Sequence, residues 1–298
     1  MSRTVESDQQ KADEDTINDF EGQLHVWLPY RRGLPPNLGN YIRQAWRRRE
    51  FMREMARADI KASHQDTWFG QLWNLINPLM SGLIYFALVT VLVRGAGVPH
   101  FFVYLISGLF LFDVLESAVN KGSKSVTGAG RMINNTAFPR VLLPIAVVRN
   151  AMFELGTAVV VIVILGLATG VKPHLAWIVC IPIVIFLLIF VTGLAMFFAT
   201  LQVYFRDTTR FLPFITRAWM FASPILWSTQ NLSDERNHSW MSFVNPMYDL
   251  ISGWSLAITQ GLWPPASMWI ISPAWALLSF VVGGYVFLSR EREFAVRI

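Results

Sequence analysis

Six apolar stretches separated by polar segments dominate the pattern of this chain. They are Leu72–Val93, Phe101–Val119, Leu142–Leu167, Leu175–Tyr204, Phe211–Trp227 and Met268–Leu288. A helix needs about 20 residues, at ~1.5 Å each, to cross roughly 30 Å of hydrocarbon, and only the fifth stretch falls clearly short of this. The pattern therefore predicts an all-α polytopic membrane protein with six transmembrane helices.

The polar pattern before the first span divides into two parts. Residues 1–38 begin with an acidic segment without apolar periodicity, which we interpret as a largely disordered cytoplasmic tail. From 39 to 66, apolar residues recur on one helical face and charged residues occupy the other. This segment is too charged to cross the bilayer, so we expect an amphipathic helix lying flat at the interface.

Residues 67–298 are predicted to form the six-span transmembrane domain. Within it, segment 228–265 is too polar to cross and holds several tryptophans. We expect it to form short re-entrant helices on the outer side. Most of the twelve tryptophans fit an interfacial belt, and stacking against sugar rings is an alternative for some of them.

The distribution of Lys and Arg predicts the orientation. Eleven of the 25 precede the first span, and only Arg94, Lys172 and Arg236 fall in the predicted outer loops. This is the positive-inside distribution, and it predicts that both termini lie in the cytoplasm. The net charge of +5 follows from this topology and indicates no nucleic-acid partner, although the basic groups can contact anionic membrane lipids.

Four ionisable residues lie inside the apolar stretches: Asp113, Glu116, Arg149 and Glu154. Intramembrane charges usually pair or line a watery path. Counting from the inner end of each span places Asp113 ~12 Å deep and Arg149 ~13 Å deep. We therefore predict that Arg149 pairs with Asp113 or Glu116, within one chain or across a dimer, whereas Glu154 has no evident cation at its level. A purely structural role and a proton relay are both open alternatives.

Motifs for enzyme chemistry are absent from the sequence. It contains no G-x-x-x-x-G-K-[ST], no H-E-x-x-H and no G-x-S-x-G, and the single cysteine, Cys180, lies within an apolar stretch. The pattern indicates a transport subunit that is not itself an enzyme and that holds no metal or cofactor. Energy for uphill transport must come from another polypeptide or from an ion gradient.

Several short motifs follow one another in a characteristic order. They are Phe69–Pro78 at the first span, Asn134–Arg140 with Leu143-Pro144 at the third, Arg206-Asp207 after the fourth, Ser223–Ile225 in the fifth, and Asn245-Pro246 in the outer segment. On this topology, residues 40–298 resemble the membrane subunits of ABC-2-type exporters, in the Wzm/TagG/KpsM branch that exports polysaccharides and teichoic acids.

The resemblance implies a homodimeric permease in the bacterial inner membrane. Two separate ATPase subunits would bind ATP and Mg²⁺, and would contact the interfacial helix and the loop 128–140. The implied ATPase-coupling residues are Arg47, Arg57, Arg131, Phe138 and Arg140. A channel at the dimer interface would carry a lipid-linked polysaccharide past aromatic side chains, for which the candidates are Tyr85, Phe102, Tyr104 and Phe112.

The resemblance also suggests a cargo. The chain looks most like actinobacterial galactan exporters of the mycobacterial type, and 20 Arg against five Lys is typical of a GC-rich genome. Lipid-linked galactan is therefore the expected cargo. The alternatives are an ABC-2 permease for drugs or lipids, and an ion-coupled secondary transporter that uses Asp113, Glu116 and Glu154; an integral-membrane glycan enzyme is disfavoured.

Overall fold

The computed structural model describes residues 38–48, 50, 72–93, 98–135, 138–231 and 235–298. Within these ranges every regular element is a helix. The α-helices are α1 Leu38–Arg47, α2 Trp73–Val93, α3 Phe101–Gly128, α4 Gly130–Asn135, α5 Leu142–Ala168, α6 Cys180–Tyr204, α7 Thr208–Ala222, α8 Glu235–Val244, α9 Pro246–Gln260, α10 Met268–Arg290 and α11 Phe294–Arg297. Short 3₁₀ helices at Leu175–Val179, Thr229–Asn231 and Glu291–Glu293 precede α6, α8 and α11.

Four of the predicted spans are long and apolar enough to cross a membrane: Phe101–Gly128, Leu142–Ala168, Leu175–Tyr204 and Met268–Arg297. The first apolar stretch forms α2, whose apolar part is shorter, and the fifth forms α7, which has 15 residues and is roughly 23 Å long. The helical, multi-pass class is thus confirmed, while the count of six spans and the orientation stay predictions.

The predicted interfacial helix begins as α1 at Leu38, and its continuation from 51 to 66 lies outside the described residues. Ile42 and Trp46, one turn apart in α1, are both largely exposed. The tail from residue 1 to 37 is also outside the described residues. Segment 228–265 contains the short helices α8 and α9, and α9 is buried along most of its length.

Helix α3 is the centre of the bundle. It packs against α2, α5, α6, α7 and α9. In its most apolar 18-residue window 83% of the residues are buried, against 22–39% in the other three long spans. A helix that is apolar on all sides and surrounded by others belongs to the core, so the remaining helices are arranged around α3.

Helices α6 and α10 cross at two glycines. A Cβ atom on Gly193 would overlap the backbone of Ser279, and a Cβ on Gly283 would overlap the carbonyl of Gly193. The Ser279 hydroxyl also donates to the Phe190 carbonyl at 2.8 Å. Small residues allow such close backbone approach in membranes, where helix association depends on packing and hydrogen bonds.

The end of α7 is held by the start of α9. Helix α7 stops at Ala222, and the chain continues extended into Pro224, which has no amide hydrogen to donate. The Asn245 side chain caps α9 by accepting from the Met247 amide at 3.0 Å, and it donates to the Ala222 carbonyl at 3.1 Å. Trp219 in turn donates to the Asn245 carbonyl oxygen at 2.7 Å. The serine-proline and asparagine-proline motifs of the sequence therefore meet in space.

Replacement of Gly283 by alanine is expected to destabilise the protein strongly. The added methyl group would meet backbone atoms that cannot move independently, and overpacking of a core costs about 1–3 kcal/mol or more. Thermal unfolding in lipid nanodiscs measures the effect. Gly156→Ala is the matched control, because no atom lies within 4 Å of the Cβ position on that helical glycine. Equal midpoints for the two variants would contradict the close crossing.

Candidate functional site at the inner end of the helices

The predicted cytoplasmic segments converge at one end of the helices, which we call the inner end. It comprises α1, α4, the residues leading into α5, and the C-terminal segment 291–298 that follows α10. The predicted ATPase-coupling residues that the structure describes lie here. Arg47 and Arg131 are exposed, and Phe138 and Arg140 are half-buried. Arg57 lies outside the described residues.

One buried carboxylate joins three parts of the chain at this end. Glu291 Oε1 accepts a hydrogen bond from the Tyr41 hydroxyl at 2.8 Å and another from the Arg140 amide at 2.6 Å. The Arg140 guanidinium donates to the Glu291 carbonyl oxygen. Tyr41 is in α1, Arg140 precedes α5 and Glu291 follows α10. The carboxylate therefore ties α1 to the residues before α5 and to the end of α10.

The groups around Glu291 are perturbed by their surroundings. Burial raises the pKa of the Tyr41 hydroxyl above its ordinary value, and the negative charge of Glu291 raises it further. Burial also lowers the pKa of the Arg140 guanidinium, an effect that Glu291 opposes. The raised pKa keeps the Tyr41 hydroxyl protonated near neutrality, so Tyr41 remains a donor to Glu291.

A second carboxylate fixes the C-terminal segment to α6. Glu293 is buried and accepts from the Tyr204 hydroxyl and from Arg297 Nε, the latter at 3.2 Å. The Arg297 guanidinium lies 4.3 Å from the centroid of the Tyr204 ring, and that of Arg290 lies 5.4 Å from it. Cation–π contacts thus reinforce the ion pairs, and Tyr204 at the end of α6 is enclosed by the C-terminal segment.

The C-terminal segment also contacts the predicted coupling loop. A Cβ atom on Gly130 would lie 2.6 Å from Ile298 Cγ2, so Ile298 lies directly against the first residue of α4. Phe294 is fully buried and stacks edge-on against Phe287, at 5.1 Å between ring centroids. Phe138 packs onto this same apolar cluster. The C-terminal segment therefore packs against the residues that precede α5.

These contacts refine the predicted coupling residues. The guanidinium of Arg140 is engaged with Glu291 inside the chain, so it organises the inner end. Arg47 and Arg131 are exposed and can reach a partner. Sequence reasoning missed Tyr41, Glu291 and Glu293 as functional candidates. The available signal was the acidic pair in Glu291–Glu293, which interrupts an otherwise basic C-terminal segment.

The intramembrane charges pair differently from the prediction. Lys121 Nζ lies 3.5 Å from Glu154 Oε1, so the expectation that Glu154 has no cation at its level is wrong. Among the described residues, no ion pair joins Arg149 to Asp113 or Glu116 within the chain, and pairing across a dimer stays a prediction. The Arg149 guanidinium instead lies 5.2 Å from the centroid of the Phe153 ring.

The register between α3 and α5 explains the difference. Helix α3 continues to Gly128, well past Lys121, which the depth estimate took as its inner end. Lys121 and Glu154 lie at about the same height in two antiparallel helices. Arg149 is five residues before Glu154, so it lies near Val126, which is five residues after Lys121. Val126 is 13 residues, or roughly 20 Å, along α3 from Asp113, and 10 residues, or roughly 15 Å, from Glu116. A pair within one chain is therefore out of reach.

Two of the four predicted channel aromatics are core residues of this chain. Tyr104 is fully buried, and its hydroxyl donates to the carbonyls of Pro224 at 2.9 Å and Trp227 at 3.3 Å. Phe112 is buried as well, within the same apolar core. Neither side chain reaches a surface of the chain, so neither suits a channel lining. Whether Tyr104 and Phe112 are buried depends on the rotation of α3 about its own axis, which the sequence pattern does not encode.

The other two channel aromatics are half-buried. Tyr85 in α2 packs edge-on against Phe221 in α7, with 6.3 Å between ring centroids. Phe102 packs edge-on against Phe86 at 5.2 Å. These contacts place Tyr85 where α2 and α7 meet, and both residues stay predicted as part of a substrate path.

Comparison with known proteins gives a consistent result. The family model of the ABC-2 type transporter matches residues 52–258. An O-antigen export system permease protein of Myxococcus xanthus is 26% identical over 259 residues, which cover 86% of this chain and 98% of that protein. One of the same name from Klebsiella pneumoniae is 30% identical over 205 residues, covering 68% of this chain and 78% of that protein. The family model ends within α9, so the C-terminal segment lies beyond it.

Removal of the Glu291 carboxylate should destabilise the inner end. Glu291→Ala leaves the Tyr41 hydroxyl and the Arg140 amide without their acceptor, and each such loss costs about 1–3 kcal/mol. Glu291→Gln keeps an oxygen acceptor of the same shape and should lose much less. Thermal unfolding of the full chain in nanodiscs compares the two variants. Unchanged stability of Glu291→Ala would show that these hydrogen bonds contribute nothing.

Proposed function

We propose that this chain, which belongs to the ABC-2 type transporter family, is the membrane permease of a polysaccharide exporter. The observation that carries the proposal is the alignment with a permease named for O-antigen export, along 98% of that protein. The cargo would be a lipid-linked polysaccharide that leaves the cytoplasm across the bacterial inner membrane. Within this class we propose galactan, on the resemblance of the sequence to mycobacterial-type exporters.

The permease works as a homodimer in this proposal, with the substrate path between the two copies. Helix α7 supports this arrangement, because it is too short to span ~30 Å and exposes Arg217, which lies roughly 14 Å along the helix from its start. Exposed arginines are costly against lipid tails and suit a watery path instead. Phe214 and Phe221 are exposed on the same helix and would border that path together with Tyr85.

Energy comes from two copies of a separate ATPase subunit, which bind ATP and Mg²⁺. This chain has no phosphate-binding G-x-x-x-x-G-K-[ST] motif of its own. The ATPases would press on Arg47 and Arg131 at the inner end. Because Glu291 hydrogen-bonds both α1 and the residue before α5, a push on either would move both.

Depletion of this protein in its host tests the export function. We expect full-length lipid-linked polymer to accumulate on the cytoplasmic side, and sugar analysis of membrane extracts to identify the cargo as galactan. A different sugar composition would support polysaccharide export but would exclude galactan as the cargo. Unchanged glycan pools with altered drug or lipid efflux would instead identify the other branch of the family.

Charge reversal tests the coupling surface. Arg131→Glu should weaken co-purification with the ATPase subunit by about tenfold or more, because like charges brought together across an interface cost several kcal/mol. Lys172→Glu is the control, since it makes the same charge change at an exposed site in a predicted outer loop. Intact binding and intact ATPase stimulation in Arg131→Glu would exclude this residue from the interface.

A further inference from the structure

A cavity of about 340 Å³ opens at the end of the helices opposite the inner end. One wall is a face of α9, where helical spacing brings together Tyr248, Asp249, Ser252 and Leu256. The other walls come from residues 229–230 and from the segment 262–267 that leads into α10. Its volume lies within the range of about 300–1,000 Å³ that is usual for small-molecule sites.

The α9 face, together with Thr229 and Ser242 beside it, forms the polar floor of the cavity. Thr229, Ser242, Asp249 and Ser252 are all buried there. The Ser242 hydroxyl donates to Asp249 Oδ1 at 2.8 Å, which fixes the direction of the carboxylate. Burial of so many hydroxyl and carboxyl groups costs free energy unless each is hydrogen-bonded. The Ser252 hydroxyl likewise donates to the Asp249 carbonyl oxygen at 3.4 Å, so each of these two hydroxyl groups has a fixed direction and offers its oxygen as an acceptor.

The rim of the cavity is apolar. It is formed by Leu262, Trp263, Pro264 and Pro265, and the Trp263 side chain is 62% exposed. An indole beside hydroxyl and carboxylate groups offers an apolar face and polar partners within one small volume. A sugar ring has the complementary character, with C–H groups on its faces and hydroxyl groups around its edge.

Two glycines fix the course of the rim. A Cβ atom on Gly253 would lie 2.9 Å from Met268 Sδ and 3.2 Å from Pro264 Cβ. Gly261 has φ +67°, and a Cβ there would lie 2.5 Å from His174 Cγ. Glycine allows the close approach at the first position, and at the second it allows the left-handed conformation next to the His174 ring. The rim is therefore pre-formed around the cavity.

The charges of the lining residues limit the class of ligand that the cavity can bind. The described residues that line the cavity include no lysine or arginine, and they include the carboxyl group of Asp249. A phosphate or pyrophosphate would find no lysine or arginine among these residues. A neutral polyol needs no cation and can use both the hydroxyl groups and the indole.

We propose that this cavity binds one neutral sugar ring at the outer end of the permease. The proposal rests on the proposed function, since the exported polysaccharide would supply the ring as it emerges. A free sugar outside the cell has the same chemistry, so the experiment must separate the two sources.

Ligand binding to the full chain in nanodiscs tests the site. The probes are the methyl glycosides of galactose, glucose, mannose and rhamnose, a delipidated fragment of the host's own glycan, and inorganic pyrophosphate. Saturation-transfer NMR gives the affinity of each. We expect saturable binding of at least one glycoside and none of pyrophosphate. Tighter binding of the glycan fragment would identify the cargo as the source, and equal or weaker binding would identify free sugar.

Variants locate the binding. Trp263→Ala removes the rim indole, Ser252→Leu fills the floor, and each should weaken glycoside binding at least tenfold while thermal unfolding shows a folded protein. Trp240→Ala is the matched control, because Trp240 is 65% exposed on α8 and does not line the cavity. Binding unchanged in either folded variant, binding of pyrophosphate alone, or no binding by any probe would overturn the proposal. In these cases Trp263 belongs to an interfacial belt only.

The two proposals fail separately. Glycoside binding at this cavity, together with unchanged glycan pools after depletion, would keep the sugar site and remove polysaccharide export. Accumulated glycan together with a cavity that binds no sugar would keep export and remove the site.

Discussion

Backbone carbonyl groups that no helix satisfies must find partners within the bilayer, and this requirement governs the outer half of the molecule. The carbonyl of Pro224, beyond the end of α7, accepts from the Tyr104 hydroxyl. The carbonyl of Phe243, in the last turn of α8, accepts from the Trp275 indole at 3.2 Å, and that of Ile258, near the end of α9, accepts from Trp177 at 3.2 Å. Aromatic donors from α3, from α10 and from the 3₁₀ helix before α6 thus satisfy carbonyl groups at the ends of the short helices.

The inner end meets the same requirement with polar and charged side chains. Just beyond the end of α10, the Arg140 guanidinium donates to the Glu291 carbonyl oxygen. Gln202 likewise donates to the Arg206 carbonyl at 2.9 Å, just beyond the end of α6. An arginine and a glutamine thus serve the helix breaks at the inner end, whereas aromatic side chains and Asn245 serve those at the opposite end.

The hydropathy pattern predicted the first residues of the helices far better than it predicted the contacts between them. Helix α3 begins at Phe101 and α10 at Met268, as the apolar stretches indicate. The Lys121–Glu154 pair and the burial of Tyr104 were not predictable, because register and rotation depend on the neighbouring helix and not on composition. The partners of Glu291 lie 151 and 250 residues away along the chain, and no local pattern links them.

The distribution of close contacts constrains how a motion at the inner end could spread. Glu291 joins α1, α5 and α10, and the glycine crossing at Gly193 and Gly283 joins α10 to α6, so these helices must move together. Helix α7 is joined to this group at its start, because the Thr209 amide donates to Gln202 Oε1 of α6 at 3.0 Å. Along the rest of its length it contacts mainly α3, and its far end is held by Asn245. If ATP-driven closure moves the inner end, Gln202 would carry the displacement to the start of α7, while Asn245 holds the other end of that helix. The proposed path runs along α7, so a tilt of this short helix would change the width of the path.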